Sequence, residues 1–168
     1  KIGIIGAMKI EVETMKSHMQ ITNTLERASM NFLEGLLHDI PVVIVRSGIG
    51  KVNAGMCVQI LADVFHVTHV INTGVAGSLN AVIDIGDIVI STDTLYHDVV
   101  ATGFGYPLGE VPQLGTLTFT ADAAMISQAK ASCEIVNPDI KVFEGRIVSG
   151  DQFVSSPQVK NTILKNFP

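Results

Sequence analysis

The residues best suited to chemistry lie beside glycine-rich loops. Glu11 follows the turn at Gly6, at the start of a helical pattern. A carboxylate there can act as a general base at the ligand edge of a sheet, or it can simply favour the helix macrodipole; spacing leaves both open. Phe153 comes after Gly150-Asp151-Gln152, between a strand pattern and a capped helix. Its ring can stack on a flat ligand or close the core, and pattern alone favours the core. Gly74-Val75-Ala76-Gly77 suits close approach of backbone to a flat ligand.

Several familiar motifs fail on inspection. Gly3-Ile4-Ile5-Gly6-Ala7-Met8 lacks the third glycine and the later acid of a dinucleotide site. Gly48-Ile49-Gly50-Lys51 lacks the leading glycine and the following hydroxyl of a triphosphate loop, since Val45 and Val52 stand there. Ala76 occupies the place where a nucleophile elbow needs serine. His66 and His69 flank a helix end, and His97 adjoins Tyr96 and Asp98, without a third ligand or nucleophile; surface or supporting roles are expected, and no metal. Cys57 and Cys133 fall on apolar sides of helical patterns and read as small core residues.

The elements that must position these residues alternate. A strand over Lys1 to Ile5 leads to a helix marked by Val12, Met15 and Met19. Met30 to Leu36 and Pro41 to Val45 read as a hairpin around His38-Asp39. Val52, Met56, Cys57, Ile60, Leu61, Val64 and Phe65 form the apolar stripe of a second helix. Strands follow over Val67 to Thr73 and Asp87 to Ser91, and Ala101 to Gly115 reads as an ordered functional or interface loop. A helix over Ala121 to Val136 and a strand over Lys141 to Ser149 come next. The last helix has Ser156 as N-cap, Pro157 in its first turn, and Val159, Ile163, Leu164 and Phe167 on its buried face. The fold class expected is α/β, a mixed sheet flanked by helices as a three-layer sandwich.

Composition sets the outer limits. Over 168 residues, 47% are hydrophobic and 16% charged, which suits a well-buried core in one domain. The net charge of −5, with arginine only at positions 27, 46 and 146, argues against a nucleic-acid partner. Apolar runs are too short to cross a bilayer and no cleavable signal opens the chain, so neither a membrane partner nor export is expected and the location expected is cytoplasmic.

Six segments taken together resemble one family: Gly3 to Met8 with Glu11, Ser47 to Ala54, Asn72 to Gly77, Tyr96 to Asp98, Phe104 to Tyr106 and Val148 to Phe153. In this order they are similar to the bacterial 5′-methylthioadenosine/S-adenosylhomocysteine nucleosidases. The resemblance implies a nucleoside phosphorylase-like sandwich that hydrolyses the bond between adenine and a 5′-thioribose, without metal or organic cofactor. The roles it implies are methionine salvage and removal of a methyl-cycle by-product.

The resemblance also assigns residues. Glu11 would activate the attacking water; Phe153 would stack on adenine, with the backbone of Val154 reading its edge. Ala76 and Gly77 would line ribose and base, and Ala7 and Ile49 the sugar end. Val75, where many relatives carry serine, would remove one hydrogen bond supporting the catalytic aspartate. Ala101, Phe104 and Pro112 would enter the alkylthio pocket of a neighbouring subunit, implying a homodimer. The chain stops at Asn166-Phe167-Pro168, ahead of the family's ribose-holding glutamate and acidic aspartate. A single nucleosidase domain over 1–168 lacking the C-terminal strands and helix is therefore expected, and a poor catalyst by itself. Purine nucleoside phosphorylase and a non-catalytic nucleoside-binding fragment are the alternatives; the first needs cations for phosphate, and the loops at Gly6 and Gly74 contain no arginine.

Overall fold

Alternation along Val42–Val45 explains the first half of the molecule. In a strand successive side chains point to opposite faces, so a continuous apolar run needs cover on both. The computed structural model describes residues Lys1–Pro168, which form two compact units, Lys1–Ala76 and Gly77–Pro168.

The first unit runs β1 (Ile2–Gly6), α1 (Lys9–Ser17), β2 (Gln20–Arg27), β3 (Met30–Leu37), β4 (Ile40–Arg46), α2 (Lys51–Asp63) and β5 (His69–Asn72). The sheet order is β2-β3-β4-β1-β5, with β1 parallel to both β4 and β5 and the β2-β3-β4 edge antiparallel. Ile5, Val43 and Val45 meet Cys57, Leu61 and Phe65 on the α2 side. Ile4, Val42 and Ile44 meet Val12 and Met19 on the α1 side. Helix, sheet and helix thus make the three layers expected.

The apolar stripe of α2 is wider than the surface it covers. Cys57, Leu61 and Phe65, four residues apart, are buried, while Val52, Met56 and Val64 are exposed. Only the line facing β1 and β4 is covered. Burial pushes the Cys57 thiol up to about 11, as suits an inert core residue; Cys133 is half-buried. Strand β2 carries no amphipathic signal, since nearly all of it is exposed. It forms because a turn at Ala28 and Ser29, both at positive φ, folds it back onto β3.

The second unit runs β6 (Ile88–Tyr96), β7 (Phe119–Thr120), α3 (Ala123–Val136), β8 (Val142–Ser149) and α4 (Pro157–Asn166). Its sheet order is β7-β6-β8, with β6 and β8 parallel. Strand β6 extends five residues beyond the expected Ser91, past a bulge, and this brings Leu95 into the core with Ile163 and Phe167. Opposite each other in the register, Asp93 accepts two hydrogen bonds at 2.8 Å from Arg146. Helix α4 begins where expected, with Pro157 in its first turn, but the Ser156 hydroxyl donates to Gln158 Oε1 at 2.7 Å and caps no backbone N–H. Leu164 is exposed, contrary to expectation, because Ile163 and Phe167 take the face toward Leu95. No helix is long and apolar enough to cross a membrane.

Candidate functional site

Three parallel strands of the first unit, β4, β1 and β5, end side by side, the region where α/β sheets hold ligands. The pairing continues past the strands, with Ser47 N–H donating to Gly6 O and Thr73 N–H to Ile5 O, both at 2.9 Å. Loops following Gly6, Arg46 and Asn72 are thereby gathered at one edge.

Glu11 joins two of them. It occupies the third position of α1, and its Oε2 accepts the Met8 N–H at 2.8 Å, a helix-start bond. Its Oε1 accepts the N–H of Val75 at 3.2 Å, from a loop 64 residues later. One carboxylate thus ties the start of α1 to the loop after β5. The glycines leave it room: a Cβ on Gly74 would lie 3.0 Å from Oε1, and one on Gly6 would lie 2.7 Å from Val12 Cγ1 and 3.0 Å from Glu11 Cβ.

Ala7 and Ile49 line one cleft of about 380 Å³, together with Met8, Ser47 and Gly48. Val75 contributes its backbone while its side chain is exposed, and Ala76 beside it is exposed too.

Gly77 opens the second unit, which also carries Phe153 and Val154. Phe153 is 96% exposed, which overturns the core reading that its pattern favoured. Val154, half-buried, packs against the cluster of Leu95, Ile163 and Phe167, and so roots the segment while the preceding ring stands free. The segment is held by His97 and Asp98, of which His97 was expected in a surface or supporting role. His97 N–H donates to Ser149 O at 2.9 Å, and Asp98 Oδ2 accepts the Asp151 N–H at 2.6 Å. A Cβ on Gly150 would run into the His97 ring and lie 2.8 Å from Asp98 Oδ2. The triplet Tyr96-His97-Asp98, at the end of β6, carried that signal. Ala101 is buried, whereas Phe104 and Pro112 are exposed on the loop after it. His69 Nδ1 lies 2.9 Å from Thr68 Oγ1 and His66 is exposed, neither at the strand ends that gather Glu11.

The family model described as the phosphorylase superfamily matches residues 1–168, which sets the class: an α/β protein of that superfamily. The 5′-methylthioadenosine/S-adenosylhomocysteine nucleosidase of Staphylococcus haemolyticus is 41% identical over 167 residues, covering 99% of this chain and 72% of that protein. The crystal structure of the nucleosidase of that name from Neisseria meningitidis, in complex with methylthio-immucillin-A, superposes with a TM-score of 0.95 at 39% identity, over 99% of this chain and 71% of that one. The one from Colwellia psychrerythraea, in complex with adenine, gives 0.94 at 40% identity, over 99% and 69%. The chain belongs to the 5′-methylthioadenosine/S-adenosylhomocysteine nucleosidase family.

Proposed function

We propose that this protein hydrolyses the N-ribosidic bond of 5′-methylthioadenosine and S-adenosylhomocysteine, releasing adenine and the thioribose. The observation that carries the reading is Glu11, fixed between two loops by backbone N–H groups at 2.8 and 3.2 Å. A carboxylate offers about four acceptor positions, so two remain for a water molecule. The electron pair of the breaking C–N bond leaves on adenine, which takes up a proton from solvent, while Glu11 orients the water toward the oxocarbenium-like anomeric carbon and takes its proton, by analogy with the base of inverting glycosidases. The names of the relatives and the ligands of the solved structures support this substrate class.

Phe153, exposed, stacks on the adenine, and the Val154 backbone reads the base edge. Ala76 and Gly77 line ribose and base without side chains that would obstruct a flat ligand. Exposed Ile49, Val52 and Met56 form an apolar surface suited to self-association, and a homodimer in which exposed Phe104 and Pro112 face the neighbour's alkylthio pocket, with buried Ala101 anchoring their loop, fits the reading. A cytoplasmic location goes with these substrates.

Adenine release from 5′-methylthioadenosine, with and without inorganic phosphate, is the test. Release without phosphate is expected, and Glu11→Gln should lower it by about a hundredfold to ten-thousandfold. A strict phosphate requirement with ribose phosphate as product would overturn hydrolysis.

A further inference from the structure

Helix α1 carries Lys9, Glu13 and Lys16 at intervals of four and three, which puts them on one face. The sheet supplies more charge beneath it. Phe32 pairs with Val45, and both turn to the α2 side. Their strand neighbours Asn31 and Arg46 therefore turn to the α1 side. The result is two adjoining clefts that share Lys9, Ser29 and Arg46. One, of about 380 Å³, continues past Ala7, Met8 and Ile49; the other, of about 170 Å³, adds Glu13, Lys16 and Asn31.

Three cations against one carboxylate meet here, in a chain whose net charge is −5. Lys9 and Arg46 take part in none of the ion pairs. Burial, with Arg46 also contributing, holds the Lys16 ammonium below its usual range, against the opposing pull of Glu13. The clefts thus favour an anion, with one carboxylate placed for a neighbouring cation. They also adjoin the reacting end of the site, because Met8 lines the larger one and its N–H holds Glu11.

The two proposed substrates share adenine and ribose and differ beyond the sulfur. One ends in a methyl group; the other ends in an amino acid with a carboxylate and an ammonium. We propose that these clefts receive that amino-acid end, with its carboxylate between Lys9 and Arg46 and its ammonium toward Glu13. Lys9 and Arg46 then set the preference for S-adenosylhomocysteine over 5′-methylthioadenosine. The inference rests on the nucleosidase reading above. Inorganic phosphate would offer Lys9 and Arg46 a similar anion, but it has no ammonium to place toward Glu13.

The test compares kcat/KM by adenine release, and Kd by calorimetry, for both nucleosides in the unaltered protein, Lys9→Gln and Arg46→Gln. Each variant is expected to lower the ratio of S-adenosylhomocysteine to 5′-methylthioadenosine about tenfold in both measures, the scale of one charge-assisted hydrogen bond. Arg46→Lys should restore most of it. A ratio that moves less than twofold in Kd overturns the inference, because both substrates then feel the change alike. So does a Kd for inorganic phosphate that weakens in Arg46→Gln while the nucleoside ratio stays fixed. Absence of adenine release from either nucleoside, with the Kd ratio shifted as expected, would overturn hydrolysis and leave this assignment of the clefts standing.

Discussion

Gly74→Ala should separate activity from stability. Gly74 lies outside the positive-φ region, so alanine fits its backbone, and the nearest atoms to the added Cβ belong to Glu11, at 3.0 Å for Oε1 and 3.3 Å for Cδ. Ordinary contact begins near 3.4 Å, so the carboxylate must retreat by about 0.4 Å. Its bond to Val75 N–H, already 3.2 Å long, then weakens toward the limit of a hydrogen bond. A 1 Å misplacement costs roughly a hundredfold in rate, so this retreat costs roughly fivefold, rising to about fiftyfold if the Val75 bond is lost. The folded protein should meanwhile stay within about 1 kcal/mol of the original, since alanine reduces the freedom of the unfolded chain by a similar amount. Urea unfolding and kcat for adenine release at saturating 5′-methylthioadenosine measure the two effects. Gly35→Ala is the contrast: its Cβ would run into the Gln20 carbonyl across the β2 bulge, far from Glu11, and should cost about 1–3 kcal/mol of stability. Full kcat in Gly74→Ala, or a loss that only tracks its unfolded fraction, would refute the argument that Gly74 exists to make room for the carboxylate.

Three further outcomes can be checked. Gly150→Ala should displace the segment that carries Phe153, because His97 and Asp98 occupy the space its Cβ needs; KM for the nucleoside should rise about tenfold while kcat changes less. The hydrogen bond from Arg146 holds Asp93 below the usual carboxylate range. A lowered folded value means that its stabilisation is present above the unfolded value of about 3.9 and is lost as pH falls through the folded one. With both groups partly solvated this contributes about 1 kcal/mol or less, and Asp93→Asn should remove that part of the acid-side slope in urea unfolding. Cys57, buried and pushed up to about 11, should resist thiol reagents at pH 8 until urea is added, while the half-buried Cys133 reacts first; peptide mapping that finds Cys57 modified in the folded protein would contradict its place in the core.

Local pattern determined a good deal. The Ile-rich opening, the run Val42 to Val45, the Pro157 start and the glycine loops were legible because strand alternation, proline placement and turn chemistry act over a few residues. Six motifs in order also carried the family, which no single loop could. Strand β2 was not legible, since an exposed edge strand has no need of an apolar pattern and its turn uses Ala28 and Ser29 where glycine would have signalled it. Nor was the exposure of Val52, Met56 and Leu164, because a stripe does not say how wide a surface it will meet.

The site itself depended on pairing between distant segments. Parallel registry of β1 with β4 and β5 brings Val75 to Glu11 and carries Arg46 to the face of Lys9. The loops at Gly6 and Gly74 contain no arginine, yet a guanidinium stands beside the first of them, delivered by the end of a neighbouring strand. Residue types and loop chemistry were written in the sequence, but which carboxylate meets which backbone donor and which cation was decided by strand order and register, whose energies come from non-local burial and hydrogen bonding.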